Sequence, residues 1–307
     1  MSRPTIVSLI ASATEIVHGL GYFDQLVGVS HECDYPDGVE DLPRLSEPKM
    51  DPGKSSAEID VDVRALVADG LSVYRVDVDR LKELSPQVIV TQDHCEVCAV
   101  SLSDVEDALC AIDLPDTTVC SLHPRDLDDV RADFRKVAAA VKDEAAGEAL
   151  VARFDGALDD IRARTANLEH PRVALIEWLA PPMVAGGWMP ELARVAGGDP
   201  IIVQDSRHFE TVDWSRIAAE DPDVVIVLPC GFDVPRSLSE IEDPEIRAGL
   251  DSIRAVQEGR GWVLDGNAYF NRPGPRLVES TELLAGVLHP EAFPRVAEEY
   301  DWAIAKL

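Results

Sequence analysis

"RLKELSPQVIVTQDHC", Arg80 to Cys95, and "RIAAEDPDVVIVLPC", Arg216 to Cys230, follow one plan. Each opens with helix-forming residues, turns at a proline, runs through an apolar β-branched stretch and places a cysteine just beyond it. The stretches Val88–Thr91 and Val224–Leu228 lack the apolar/polar alternation of a half-exposed strand, so each reads as a strand buried on both faces. A helix followed by a buried strand, occurring twice, predicts an α/β architecture with parallel strands.

The same pattern extends outward. Further strands are predicted at Thr5–Ile10, Val27–Ser30 and Thr118–Ser121 in the first half, and at Val173–Glu177, Ile201–Val203 and Trp262–Asp265 in the second. The echo between halves points to two lobes of like construction with mainly parallel sheets. Between them, from Asp126 to Leu168, no strand signal occurs. Leu127, Val130, Phe134, Val137 and Val141 keep helical spacing, and Leu150, Phe154, Leu158 and Ile161 resume it. No Gly/Ser/Pro-rich linker interrupts this region, so a long rigid backbone helix is expected to join the lobes. The predicted division is 1–142 for the N-terminal lobe, 143–168 for the connecting helix and 169–307 for the C-terminal lobe.

Composition narrows the function classes. The chain has 307 residues, with 57 Asp+Glu against 28 Lys+Arg, a formal charge of -29. Such a field repels phosphate backbones and anionic lipid, which argues against nucleic-acid and membrane-surface partners. Arginine supplies most of the cations, a pattern that suggests the acidic proteome of a salt-rich cytoplasm, where a strongly anionic surface is screened. The N-terminal run "RPTIVSLIASATEIV" imitates a signal peptide but reads better as a buried strand feeding a helix, with Ser12 and Glu15 as a capping box. No segment approaches the length of a transmembrane helix. A cytoplasmic protein without membrane insertion is expected. Its six cysteines then read as thiols rather than a disulfide framework, with Cys110 and Cys120 as small buried apolar residues.

In parallel α/β sheets, ligands bind beyond the carboxyl ends of the strands. Here those ends read "HECDYP" (His31–Pro36), "QDHCEVC" (Gln92–Cys98), "WLAPPMVAGGWMPE" (Trp178–Glu191), "PCGFD" (Pro229–Asp233) and "GNAYFNRPGPR" (Gly266–Arg276). Tyr35, Trp188, Phe232, Tyr269 and Phe270 have no helical stripe to explain them. Aromatics beside a few polar groups suit a cleft between the lobes for a large, flat, partly apolar ligand; the alternative is that they plug the lobe interface. A zinc site is a second reading, with Cys33, Cys95 and Cys98 joined by His31 or His94 as ligands. A redox dithiol is disfavoured, because Asp93 and Glu96 would raise the neighbouring thiol pKa values. No G-x-S-x-G, Walker loop or G-x-G-x-x-G follows a strand, so no catalytic constellation emerges. His18, His123, His170, His208 and His289 read as structural or exposed.

Taken together, "SLIASATEIV…LVGVSHECDYP", "TQDHCEVCAV", "GGWMPELARVAGGDP", "LPCGF" and "YFNRPGPRLVESTELLA" resemble the cobalamin-binding branch of the ABC-transporter substrate-binding proteins for iron complexes and corrinoids. These are helical-backbone metal receptors. The resemblance covers nearly the whole chain and implies a non-catalytic binder of cobalamin or a related corrinoid, linked to corrinoid uptake or salvage. It implies a first wall of Ser12, His31, Cys33, Tyr35, Gln92, Cys95 and Cys98, and a second of Trp188, Cys230, Phe232, Tyr269, Phe270 and Arg272. Aromatics would cover the corrin and its base, Gln92 and Arg272 would bond amide or phosphate oxygens, and a thiol or His31 would approach cobalt. Exported relatives carry a signal peptide or lipid-anchor cysteine, which is not read here. The expected role is thus a cytoplasmic carrier, its partner an ABC permease or a corrinoid-handling enzyme. A zinc-dependent protein of the same fold and an enzyme of corrinoid metabolism remain alternatives.

Overall fold

The computed structural model describes residues 3–68, 73–92, 117–203 and 210–307. His94, Cys95, Cys98, Cys110 and His208 lie outside them. The chain divides into two compact units. One comprises Met1–Lys54, Val61–Pro124 and Asp128–Arg153; the other comprises Ser55–Asp60, Arg125–Leu127 and Phe154–Leu307.

The first unit is built on a sheet of β1 (Ile6–Ser8), β2 (Leu26–Val29), β5 (Val88–Gln92) and β6 (Thr118–Leu122), in the order β2-β1-β5-β6 and parallel throughout. Side chains alternate across the strands. Val7, Leu9 and Ile89 face a cluster completed by Leu45, Tyr74, Val76 and Leu81. Leu81 comes from α3 (Val78–Leu84), which follows α2 (Ser56–Ala68) in the helix order; Tyr74 and Val76 come from β4 (Tyr74–Val76), which pairs antiparallel with β3 (Ser46–Pro48), and Leu45 immediately precedes β3. Ser8, alternating with Val7, meets Thr14 of α1 (Ala11–Gly19) instead: the Thr14 hydroxyl donates to Ser8 Oγ at 2.8 Å. Both sheet faces are therefore covered, which is why β1 and β5 consist of buried residues throughout.

The second unit has a sheet with a parallel centre and antiparallel margins. Its central strands are β7 (Arg172–Leu179), β11 (Val224–Val227) and β12 (Gly261–Leu264). To these are added β8 (Pro182–Val184), β9 (Asp199–Pro200), β10 (Glu210–Thr211) and β13 (Ile304–Lys306). The order is β10-β8-β7-β11-β12-β13, with β9 paired to the start of β7. One face is packed with Ile176, Val225, Val227 and Val263 against Ile217, Ile241, Ile246 and Leu250.

Over the described residues, 80–92 and 216–228, the two echoing stretches fold alike. In each, the residue before the proline takes a left-handed conformation: Ser85 (φ 43°) before Pro86 and Asp221 (φ 48°) before Pro222. Proline disfavours αR in its predecessor, so the helix stops there and the strand begins two residues after the proline.

The segment between the halves can be placed, and two other expectations are corrected. Between the halves run two helices, α4 (Leu127–Ala140) and α5 (Glu144–Thr165); the second occupies the segment expected as the connecting helix, 143–168, and the boundary between the units falls inside it at Arg153/Phe154. Lys142 (φ 62°) ends α4: the Asp143 amide reaches back to the Ala138 carbonyl at 2.9 Å and the Lys142 amide to Ala139 at 3.0 Å. Asp143 Oδ1 then accepts from the Ala146 amide at 3.1 Å, starting α5. The Ser12/Glu15 capping box does not form, because α1 begins two residues earlier, with Ile10 as its N-cap and no side-chain cap. The strand expected at Ile201–Val203 lies instead at Asp199–Pro200, and Ile202 (φ 56°) breaks the extended run.

Candidate functional site

The first unit presents its strand ends as a connected polar network. Beyond β2, the Arg44 Nη1 donates to the Ser30 carbonyl at 3.0 Å and the Cys33 carbonyl at 2.6 Å, which shapes the loop His31–Cys33. His31 Nδ1 lies 2.9 Å from Ser46 Oγ on β3, and Ser46 Oγ donates to Ser30 Oγ at 3.1 Å. The His31 ring is tilted against Tyr74, with centroids 5.3 Å apart. Burial lowers the His31 pKa, and Arg44 lowers it further against a smaller opposing effect of Glu47. The imidazole is therefore neutral at pH near 7.

Cys33 turns the other way. Its thiol is buried and sits 3.1 Å from Thr14 Oγ1, extending the Ser8–Thr14 pair. His31 and Cys33 thus engage different partners, and among the described residues no group of three His, Cys, Asp or Glu is placed to hold a metal ion. Cys95 and Cys98, the remaining members of the expected thiol set, fall outside those residues. Tyr35 is half-buried and stands edge-on to His18 at 5.7 Å. Ser12 and Gln92 are almost completely buried, and among the described residues Ser12 Oγ and Gln92 Oε1 accept no hydrogen bond. The Leu9 amide bonds the Val90 carbonyl at 2.8 Å, which brings the start of α1 beside the end of β5 where Gln92 lies.

In the second unit, the loops after β11 and β12 are knitted together. The Phe232 carbonyl accepts from the Gly266 amide at 3.0 Å and the Asn267 amide at 3.1 Å. A Cβ on Gly266 would lie 2.6 Å from the Leu228 carbonyl oxygen and closer still to that of Pro229, so glycine alone permits this approach. Asp265 fixes the following turn, Gly266–Phe270, by accepting from the Asn267 amide at 3.0 Å and the Ala268 amide at 2.7 Å. Burial raises the Asp265 pKa against these two hydrogen bonds.

That turn carries two of the expected aromatics, Tyr269 and Phe270, and both are interior. Phe270 is fully buried, and its carbonyl accepts from Trp188 Nε1 at 2.9 Å, so Trp188 braces the turn from the start of α6 (Met189–Val195). Phe232 is buried between Trp178, at 5.3 Å, and the Arg236 guanidinium, 3.8 Å above the ring. Tyr269 meets Tyr300 and Trp302, and Arg276 stands 5.3 Å from its ring. Arg272 is buried and donates to Asn267 Oδ1 at 3.2 Å. Cys230 is exposed, with its amide tied to the Glu177 carbonyl at 3.0 Å. The sequence reading thus missed Ser46, Arg44, Thr14, Trp178 and Arg236. It also missed Asp265, for which the "DGN" at 265–267 is a readable turn signal.

The histidines expected to be structural or exposed are so placed where described. His18, His123 and His170 are exposed, and His289 bonds the Gly197 carbonyl at 3.2 Å. No described helix is long and apolar enough to cross a membrane.

Comparison with known proteins adds the family. A profile described as "Periplasmic binding protein" matches residues 6–268. An uncharacterized ABC transporter substrate-binding lipoprotein of Bacillus subtilis is 23% identical over 295 residues, covering 94% of this chain and 81% of that one. The vitamin B12-binding protein of Vibrio cholerae is 21% identical over 280 residues, covering 90% and 86%. A crystal structure of the periplasmic vitamin B12-binding protein of that organism matches with a TM-score of 0.66 at 19% identity, covering 94% of this chain and 98% of the other. A periplasmic heme-binding protein from Pseudomonas aeruginosa matches with a TM-score of 0.69 at 20% identity, covering 94% of each. The likeness to these structures establishes the two-lobe α/β fold.

These findings overturn the cytoplasmic placement. The matching family is periplasmic and one relative is a lipoprotein, so the location indicated is outside the cytoplasm. The apolar N-terminal run forms strand β1 in the core, and neither that role nor an acidic surface reports on compartment.

Proposed function

The chain belongs to the periplasmic binding protein family, and on that premise we propose that it binds cobalamin or a related corrinoid as a non-catalytic substrate-binding protein that serves an ABC permease. The reading rests on the chemistry gathered at the strand ends. A neutral, half-buried imidazole beyond β2 and a Gly266–Arg272 turn rich in aromatic and guanidinium groups offer what a flat, amide-rimmed metal complex needs. The observation that carries it is that second turn, held in one conformation by Asp265, Trp188 and the Phe232 carbonyl. Such preorganisation reduces the entropy lost when a ligand binds. His31, Tyr35, Gln92, Cys230, Tyr269 and Arg272 are the residues proposed to contact it.

Heme is the second reading, supported by a heme-binding protein of equally similar fold. The test is calorimetry and visible spectroscopy of purified apo protein with cyanocobalamin, hemin and zinc in parallel. Corrinoid binding at about 1 µM or tighter, with hemin at least tenfold weaker, supports the proposal. Hemin binding alone replaces the ligand. Stoichiometric zinc with neither macrocycle bound would favour the thiol-ligated alternative.

A further inference from the structure

The polar contacts of His31 determine which of its ring nitrogens carries the proton. Ser46 Oγ accepts from the His31 backbone amide at 3.2 Å and donates its own proton to Ser30 Oγ at 3.1 Å. Ser30 Oγ also accepts from the Glu32 amide at 3.3 Å. With that proton on Ser30, Ser46 Oγ offers an acceptor position to His31 Nδ1, 2.9 Å away, and Ser30 Oγ lies 3.5 Å from the same nitrogen, so the network favours the tautomer protonated at Nδ1. Nε2 is left with its lone pair. Glu32 Oε1 stands 3.8 Å from it, beyond hydrogen-bond distance, and that same oxygen accepts from the Tyr74 hydroxyl at 3.3 Å. The side chain is 24% exposed, at the carboxyl end of a parallel strand, so Nε2 remains reachable from solvent.

We propose that His31 coordinates the metal of the bound complex through Nε2, with Ser46 and Ser30 acting as positioning residues that hold the tautomer. This rests on the ligand class proposed above. The step is a ligand exchange at a trivalent cobalt: the Nε2–Co bond forms, the Co–OH2 bond breaks and neutral water leaves, with no change of oxidation state. A hydrogen bond to the remote ring nitrogen is the usual device by which proteins orient a metal-binding imidazole and strengthen it as a base.

Two corrinoids separate ligation from binding. Aquocobalamin has an exchangeable axial water, whereas cyanocobalamin has both axial positions filled. Wild-type protein is expected to shift the visible spectrum of aquocobalamin away from that of the free compound. His31→Ala should abolish the shift, and a urea midpoint close to that of wild type shows that the variant folds. Ser46→Ala should weaken aquocobalamin binding by about tenfold, the usual loss for an outer-shell partner, and Ser46→Thr should restore it. Bound aquocobalamin with an unshifted spectrum, or a shift that survives in His31→Ala, overturns the ligation and leaves the corrinoid-binding function standing. Failure of wild-type protein to bind either compound overturns both.

Discussion

Replacing Gly266 with alanine tests whether the candidate site depends on the close approach of two strand-end loops. The residue is not at positive φ, so the cost is steric. The new Cβ would stand 2.6 Å from the Leu228 carbonyl oxygen and nearer that of Pro229, whereas carbon and oxygen ordinarily stay about 3.3 Å apart. Relief requires the loops to separate by roughly 1 Å. That lengthens both bonds to the Phe232 carbonyl, now 3.0 and 3.1 Å, which together contribute about 2 kcal/mol. Overpacking adds about 1–3 kcal/mol. The expected loss is therefore about 3–5 kcal/mol of stability, read from urea midpoints at constant m-value. Corrinoid affinity, read by calorimetry below the unfolding transition, should fall because Tyr269 and Arg272 ride on the displaced turn. A variant within about 1 kcal/mol of wild type, with affinity unchanged, would show that the loops are not held as described.

Two other glycines, both in α5, should respond in opposite directions. Gly147→Ala would press its Cβ to 2.7 Å from that of Ala138 on α4 and should lower the melting temperature; Gly156→Ala meets nothing within 4 Å and should raise stability by about 0.5–1 kcal/mol. Asp133 is buried on α4, and burial raises its pKa to about 7. Unfolded, it titrates near about 4, so the folded state holds an extra proton between these values and this group's contribution to stability falls as pH rises through that window. Asp133→Asn should therefore be more stable than wild type at about pH 8, by on the order of 2 kcal/mol, and show little gain near about pH 4; equal urea midpoints at the higher pH would refute this. Phe134→Ala empties a fully buried position and should cost about 3–5 kcal/mol in equilibrium unfolding.

What was legible in the sequence was what local chemistry determines. Val88–Thr91 and Val224–Leu228 could be read because unbroken β-branched runs have few other uses, and the proline turns before them fix where the helices end. The ribbon Ser46–Pro48 with Tyr74–Val76 could not, since its strands are three residues long, one contains proline and their pairing spans distant parts of the chain. "S-x-x-E" satisfied the capping pattern at Ser12, but the backbone entered the helix earlier and the Ser8–Thr14–Cys33 chain took over the junction. At Lys142, where the helical spacing was divided, lysine rather than glycine takes the left-handed position. At the site, sequence singled out His31 but not Ser46, which is 15 residues away and lies on a strand with no signal of its own. The aromatics were found correctly as loop residues without a helical stripe. How deeply Phe270, Phe232 and Trp188 sink into their own unit depends on packing no local pattern encodes.

The margins of the second unit's sheet carry one more consequence. Among the described strands, its outermost members are β10, two residues long, and β13, three residues long, and β13 ends at Lys306, whose ammonium rests 3.6 Å above the Trp262 ring. Truncated borders ending in a cation give a neighbouring molecule almost no backbone on which to add a strand. Strand addition at these two edges is thereby disfavoured, and lengthening β13 by a few uncharged, β-branched residues is the alteration that would remove this protection.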